Sequence, residues 1–352
     1  MADPTEAAST ERAVQTPSQS GIAVDPDFSQ PDDDGDSALG DDESNILSTA
    51  SITSTILQYR KLHGRTYHNF GGADKAEYWA PNDEIANEQL DINHHLLSLS
   101  LDNKLYLAPL EKEKVKAVLD VGTGTGIWAI DFADEFPDAQ VTGVDLSPIQ
   151  PSWVPPNLTF ELDDISSTWI YADNTFDYIH IRYMTGSIKD WVAIYREAYR
   201  CLKPGGWIEH MDCSAGVYAD DGSMPPDNIF VDWMENFCKA GLKIGQTFEV
   251  IDNDNYIRWL EEAGFKNVNK KTLKVPIGGW PANKKLKEIG LTNQLSLSLG
   301  IEGFGLYILT SVLGWPYEEV QVFLASVRAG LKNKAYHGYC RWGVAWSQKP
   351  LE

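Results

Sequence analysis

Between residues 115 and 210, short apolar runs alternate with segments long enough to form helices. The runs are 115–119, 140–144, 158–162, 176–181 and 206–210. Apolar runs spaced in this way predict parallel strands joined by crossover connections. Residues 127–136, with Trp128, Ile130 and Phe132, and residues 191–199 read as the helices between them. Upstream, Pro81-Asn82-Asp83 is a helix start in which Asn82 or Asp83 caps. Ile85, Leu90, Ile92, Leu96 and Leu97 give the helix that follows an apolar side, and Ile52, Ile56 and Tyr59 also stand at helical spacing. Downstream, 256–263 and 317–331 read as helices, 265–275 and 335–346 as strands. The stretch 286–313 is an apolar helical pattern containing Gly300, Gly303 and Gly305, and residues from 211 to about 255 read as a partly helical interruption of the sheet.

The pattern is punctuated most sharply at Leu119-Asp120-Val121-Gly122-Thr123-Gly124-Thr125-Gly126. Three alternating glycines between a strand and a helix predict a turn that brings backbone close to a ligand, with the helix amides behind it. The GxGxG spacing differs from the dinucleotide fingerprint, and no GK[ST] follows as in a P-loop. Asp145 ends the next run, 23 positions after Gly122. A carboxylate there can accept both ribose hydroxyls of an adenosine-bearing ligand. The run 176–181 delivers Arg182, Tyr183 and Met184 to the carboxyl end of the sheet, the rim that holds ligands in open α/β folds. Arg182 either fixes a ligand carboxylate or makes a structural salt bridge. Asp163 and Asp164 end the third run and serve either a ligand or the turn before Ser166 and Ser167.

These residues resemble the first cofactor motif of the class I methyltransferases that use S-adenosyl-L-methionine. The resemblance covers roughly residues 115–270, and Leu202-Lys203-Pro204-Gly205-Gly206 before the fifth strand strengthens it. Within that superfamily the chain is most similar to the fungal LaeA-like methyltransferases. Residues 59–68 and Pro81-Asn82-Asp83-Glu84, followed by Leu90-Asp91-Ile92-Asn93-His94-His95, carry the closer match. The resemblance implies an α/β fold with a doubly wound, seven-stranded mixed sheet, the last strand antiparallel. A helical N-terminal cover over 51–114 and lid insertions at about 211–255 and 280–332 would close the site. The implied cofactor set is Asp120, Gly122, Thr123, Gly124 and Gly126 from the turn, with Asp145, Leu146, Asp163, Asp164 and Arg182 from the later rim. Between the two acids, Asp164 is preferred for the adenine amino group. Tyr67, Tyr78, Tyr218, Trp233 and Phe237 are candidate acceptor-binding residues, and His94, Arg182, Tyr183 and His210 candidate catalytic ones, with His180 a further proton sink. His94 and His95 lack the i,i+4 spacing of a helical zinc motif.

Composition narrows the remaining choices. Formal net charge is −22, and half of it comes from residues 1–50, where twelve acids face one arginine. This balance argues against direct contact with a nucleic-acid backbone. The Ser-, Asp- and Pro-rich stretch 1–50 reads as a disordered acidic arm, and removal of residues 1–45 is expected to leave melting temperature and cofactor affinity nearly unchanged. Four widely spaced cysteines, with no CxxC pair, read as reduced thiols, and no metal is expected. No secretory signal or 18-residue apolar span is apparent, so a cytoplasmic location, with the nucleus as alternative, is expected. The expected function is methylation of a small secondary metabolite at a carboxyl or hydroxyl oxygen. The alternative is a LaeA-like nuclear regulator of secondary metabolism and development, working with protein partners through protein methylation.

Overall fold

The computed structural model describes residues 21–26, 28, 59–68 and 78–351. Seven strands form one sheet: β3 (Ala117–Val121), β4 (Gln140–Asp145), β5 (Leu158–Leu162), β6 (Phe176–Arg182), β7 (Leu202–Tyr218), β8 (Lys266–Pro276) and β9 (Tyr339–Gln348). Their order is β5-β4-β3-β6-β7-β9-β8, in which β9 alone runs antiparallel, between β7 and β8. The central strands are apolar on both faces because both are covered. Val118, Val141 and Tyr178 pack with α2 (Ile127–Glu135) on one side. Leu119, Ile179 and Ile181 pack with α3 (Trp191–Cys201) and α5 (Asn255–Glu262) on the other.

A third core lies over the carboxyl rim. There α4 (Ile229–Ile244), α6 (Lys284–Tyr307) and α7 (Tyr317–Leu331) meet α1 (Glu84–Ser100) and Tyr67 and Trp79 ahead of it. Asp83 caps α1, its side chain accepting from Ala86 N, and also receives two hydrogen bonds from Arg65. The span 284–312 is long and apolar enough to cross a membrane by length and hydropathy, but 56% of that window is buried inside the fold. Its apolar character is therefore largely used by contacts with α1, β8 and α7.

Three expectations change. The cover is not wholly helical: β1 (Arg60–Leu62) and β2 (Arg65–Tyr67) form a hairpin, and His63 and Gly64 both take positive φ at its tip. Two consecutive positive-φ residues match the backbone twist of a tight hairpin, which a helix cannot contain. Ile52 and Ile56 lie outside the described residues. Second, the sheet is not interrupted at 211: β7 continues to Tyr218, paired with β9. Third, within the arm, Asp25 N donates to Trp280 O and Ala282 N to Ala23 O, and Asp25 pairs with Lys287. The acidic cluster 32–36 lies outside the described residues.

Candidate functional site

The glycine turn leaves β3 with Gly122, Gly124 and Gly126 all at positive φ. A Cβ at Gly122 would lie 2.3 Å from the Met184 sulfur, and one at Gly126 2.3 Å from the Phe160 ring. Gly124 is different: its nearest neighbour would be Leu90 at 3.5 Å, an ordinary contact, so a Cβ there meets no clash. Asp120 holds the turn from below. Its Oδ2 accepts from the Thr123 hydroxyl at 2.6 Å, and its Oδ1 faces His180 Nδ1 at 2.7 Å. Burial lowers the His180 imidazole to about 4. It is therefore neutral, and Nδ1–H donates. Stacked on Trp128 with centroids 3.6 Å apart, His180 belongs to the support of the turn.

At the end of β4, Asp145 accepts from Gly124 N (2.8 Å) and Ser147 N (2.9 Å). Burial raises its carboxyl to about 6, against the opposing pull of these amides. Each oxygen retains a lone pair for a ligand. Asp163 accepts from Asp164 N, while Asp164 Oδ1 accepts from both the amide and hydroxyl of Ser166. Both acids and Leu146 border the same cavity as Gly122, Thr123, Gly124 and Asp145. The space between these residues is about 1230 Å³, part of it open solvent. Gly126 is behind its wall, serving as the left-handed residue that starts α2.

Arg182 reaches this cavity from the end of β6. Its Nη2 donates to His94 Nδ1 (3.1 Å), which leaves His94 Nε2–H to donate to Asp131 (2.9 Å). Burial lowers the guanidinium to about 10, so Arg182 stays charged at neutral pH. His94 stands behind Arg182 and borders none of the described cavities. Tyr183, at φ +57, is a bulky residue in the left-handed region. Its amide donates to Met211 O, and the next amide, Met184 N, donates to buried Asp212. Burial holds the Tyr183 hydroxyl well above its ordinary range.

Tyr183 borders three cavities. The second, about 800 Å³ including space open to solvent, is walled by Trp79, Phe230, Trp233, Phe237, Phe248 and Trp342. Among the described residues, no Asp, Glu, Lys, Arg or His borders it. Trp233 and Phe237 thus meet at one wall, while Tyr78 borders the first and third cavities. Besides His94, three sequence candidates lie away from these cavities. Tyr67 packs against Tyr307 beneath the hairpin. Tyr218 is held by Ser214 and by Arg341, whose guanidinium lies over its ring. His210 is fully buried between the Tyr195 hydroxyl and Asp212, stacked on Trp191. Trp79, Asn93, Phe248 and Thr185 were not anticipated. Asn93 carried a signal, a polar residue inside the apolar stripe of α1.

Residues 92–270 match the model of a family described as a methyltransferase domain. The chain is 40% identical over 304 residues to methyltransferase pytC of Aspergillus terreus, covering 86% of this chain and 92% of that one. The chain belongs to the class I S-adenosylmethionine-dependent methyltransferases. This methyltransferase is also similar to the secondary metabolism regulator LAE1 of Cochliobolus heterostrophus, at 34% identity over 315 residues, 88% of this chain and 99% of the relative. A third relative, the protein-methionine methyltransferase laeA of Emericella nidulans, is 31% identical over 296 residues, 84% and 77% of the two chains. The enzyme is thus one of the LaeA-like methyltransferases, and its cofactor is S-adenosyl-L-methionine. The first cavity suits that molecule: a glycine turn with one open face, a carboxylate with free lone pairs and a charged guanidinium border one space.

Proposed function

We propose that this enzyme methylates the hydroxyl oxygen of a small, largely apolar secondary metabolite. The single observation that carries the reading is the uncharged aromatic cavity meeting the cofactor cavity at Tyr183. In the proposed arrangement Asp145 takes the ribose hydroxyls, the amides of the glycine turn lie against the methionine portion, and Asp163 or Asp164 receives the adenine amino group. Arg182 takes the carboxylate. When bound, S-adenosyl-L-methionine supplies an electrophilic methyl group on a sulfonium sulfur. The residues of the chain supply orientation and exclusion of water. Trp233 and Phe237 press the acceptor toward Tyr183, whose strained backbone fixes its ring at the junction.

The lining favours a hydroxyl over a carboxyl acceptor, because a carboxylate in the second cavity would be a buried charge without a counter-ion. His94, His180 and His210 are all engaged by other side chains and none borders that cavity. The reading therefore favours an enol or phenol that enters neutral: its oxygen forms the bond to the methyl group as the methyl–sulfur bond breaks, its proton passes to water on the open side of the first cavity, and S-adenosylhomocysteine leaves. A cytoplasmic site of action without direct nucleic-acid contact belongs to the same proposal, supported by net charge −22 and four unpaired cysteines.

The names of two relatives support a second reading, action on a protein within a regulatory complex. Incubation with methyl-labelled S-adenosyl-L-methionine and separate fungal metabolite and protein extracts distinguishes the two. Label in an extractable small molecule is expected. Label confined to protein overturns the proposal.

A further inference from the structure

The space beyond Tyr183 continues on a second side. A third cavity of about 760 Å³ runs between the start of α1, the loop 147–149 and the Gly300–Phe304 face of α6. It shares Gly124 and Asp145 with the cofactor cavity, and Trp79, Thr185 and Phe304 with the aromatic one. Among the described residues two charged ones border it, and both have partners. Arg65 donates from Nε and Nη2 to Asp83 at 2.5 and 2.7 Å. Asp145 accepts the amides of Gly124 and Ser147.

Among the neutral side chains, Gln89 donates to the Ser296 hydroxyl, while two others are unpaired. Asn82 is 7% exposed, and neither its Nδ2 nor its Oδ1 has a hydrogen-bond partner among the described residues. Thr185, 9% exposed, has an unpartnered hydroxyl and borders both the second and third cavities. Buried polar groups are nearly always satisfied, so an unpaired carboxamide in a residue that borders a cavity marks a bond to be made when that wall adjusts to a ligand. A carboxamide presents a donor and an acceptor side by side, and its complement is the same pair in reverse. A carboxylate would set its oxygens against Asn82 Oδ1 and Asp145. An ammonium group would leave Asn82 Nδ2 unpaired. An amide satisfies both atoms.

We propose that this third cavity is a second subsite of the acceptor and that it binds a neutral amide through Asn82 and Thr185. The inference rests on the aromatic cavity being the acceptor site. The acceptor is then an elongated molecule: an apolar body against Trp233 and Phe237, an amide at Asn82, and the methylated oxygen at Tyr183 between them.

The probes are 2-naphthamide, 2-naphthoate and 2-acetylnaphthalene, titrated calorimetrically into the full chain saturated with S-adenosylhomocysteine. The amide is expected to bind about tenfold more tightly than either isostere, the order of one well-made hydrogen bond. Asn82→Leu and the shape-preserving Thr185→Val should each reduce that preference while retaining affinity for S-adenosylhomocysteine, since neither residue borders the first cavity. Equal binding of the three probes, no binding of any, or an undiminished preference in both folded variants overturns the subsite. If Asn82→Leu fails to fold, the wild-type ranking and Thr185→Val decide. The labelled-extract experiment separates this inference from the reading beneath it. Labelled metabolites without an amide preference sink the subsite alone, whereas an amide preference with label only in protein leaves the amide site and removes the small-molecule acceptor.

Discussion

Gly124 is the residue at which the cofactor turn faces ligand rather than protein. Its φ of +58° resists any β-branched side chain, and a Cβ there would lie against Leu90, which borders the same cavity. Gly124→Val is therefore expected to fold and to lose measurable affinity for S-adenosyl-L-methionine by calorimetry; undiminished affinity in the folded variant would refute the placement. Asp145 supplies a pH dependence whose sign follows from its burial. The carboxyl is raised from 3.8 to about 6, so the folded chain holds this proton to higher pH than the unfolded chain. Its contribution to stability is greatest below about pH 4 and is lost as pH rises toward 6. Cofactor binding runs the opposite way, because ribose hydroxyls donate to the ionised form. Affinity should fall by about tenfold between pH 7.5 and pH 5, one unit below the raised value, and Asp145→Asn should flatten the profile. An unchanged slope in that variant would assign the titration to another group.

At the scale of elements, the corner after β6 depends on β7. Met184 N, Cys213 N and His210 Nε2 all converge on the Asp212 carboxylate, which is fully buried. Asp212→Ala would leave these donors unpaired and free the left-handed Tyr183 to relax. A loss of about 2 kcal/mol or more in urea unfolding is expected, together with lower methyl transfer. Unchanged stability would show that the corner is held otherwise. On the facing wall, Trp233→Ala should lower acceptor kcat/KM with cofactor affinity retained, while Tyr67→Ala should act on stability through its lost contact with Tyr307. The reverse pattern in steady-state kinetics and melting curves would exchange their assignments.

The elements were legible to unequal degrees. The boundaries 158–162 and 317–331 match the observed elements, because turn residues and a strong apolar period mark them. The hairpin at 60–67 was missed because His63-Gly64 lacks the usual Asn or Asp before glycine. The continuation of β7 was missed because Asp212 and Ser214 interrupt an apolar run, and both are buried only because neighbouring elements satisfy them.

For the whole molecule, the N-terminal arm is the element whose role changed most. Residues 23–25 pair with 280–282, and Asp25 meets Lys287 at the start of α6. Deletion of residues 1–20 should leave melting temperature and cofactor affinity unchanged. Deletion of residues 1–28 should lower the melting temperature by about 2 °C, the shift expected for about 1 kcal/mol in a chain of this size. Equal melting by fluorimetry for the two truncations would make the contact energetically silent.

The cofactor half of this enzyme was determined by the sequence alone. A glycine turn, a strand-ending carboxylate and a five-strand apolar rhythm are local features, each enforced by backbone sterics or by burial on two faces. The acceptor half was decided by tertiary structure. Asn82, Trp233 and Phe304 are separated by long stretches of chain, and only the packing of α1, α4 and α6 over the rim brings them around Tyr183. His210 shows the same division from the other side. Its position at the end of a predicted strand suggested chemistry, but Asp212, two residues on along β7, and Tyr195, brought over by the packing of α3, take both its nitrogens. A side chain's type can be read from the sequence, whereas its free lone pairs depend on what folds against it.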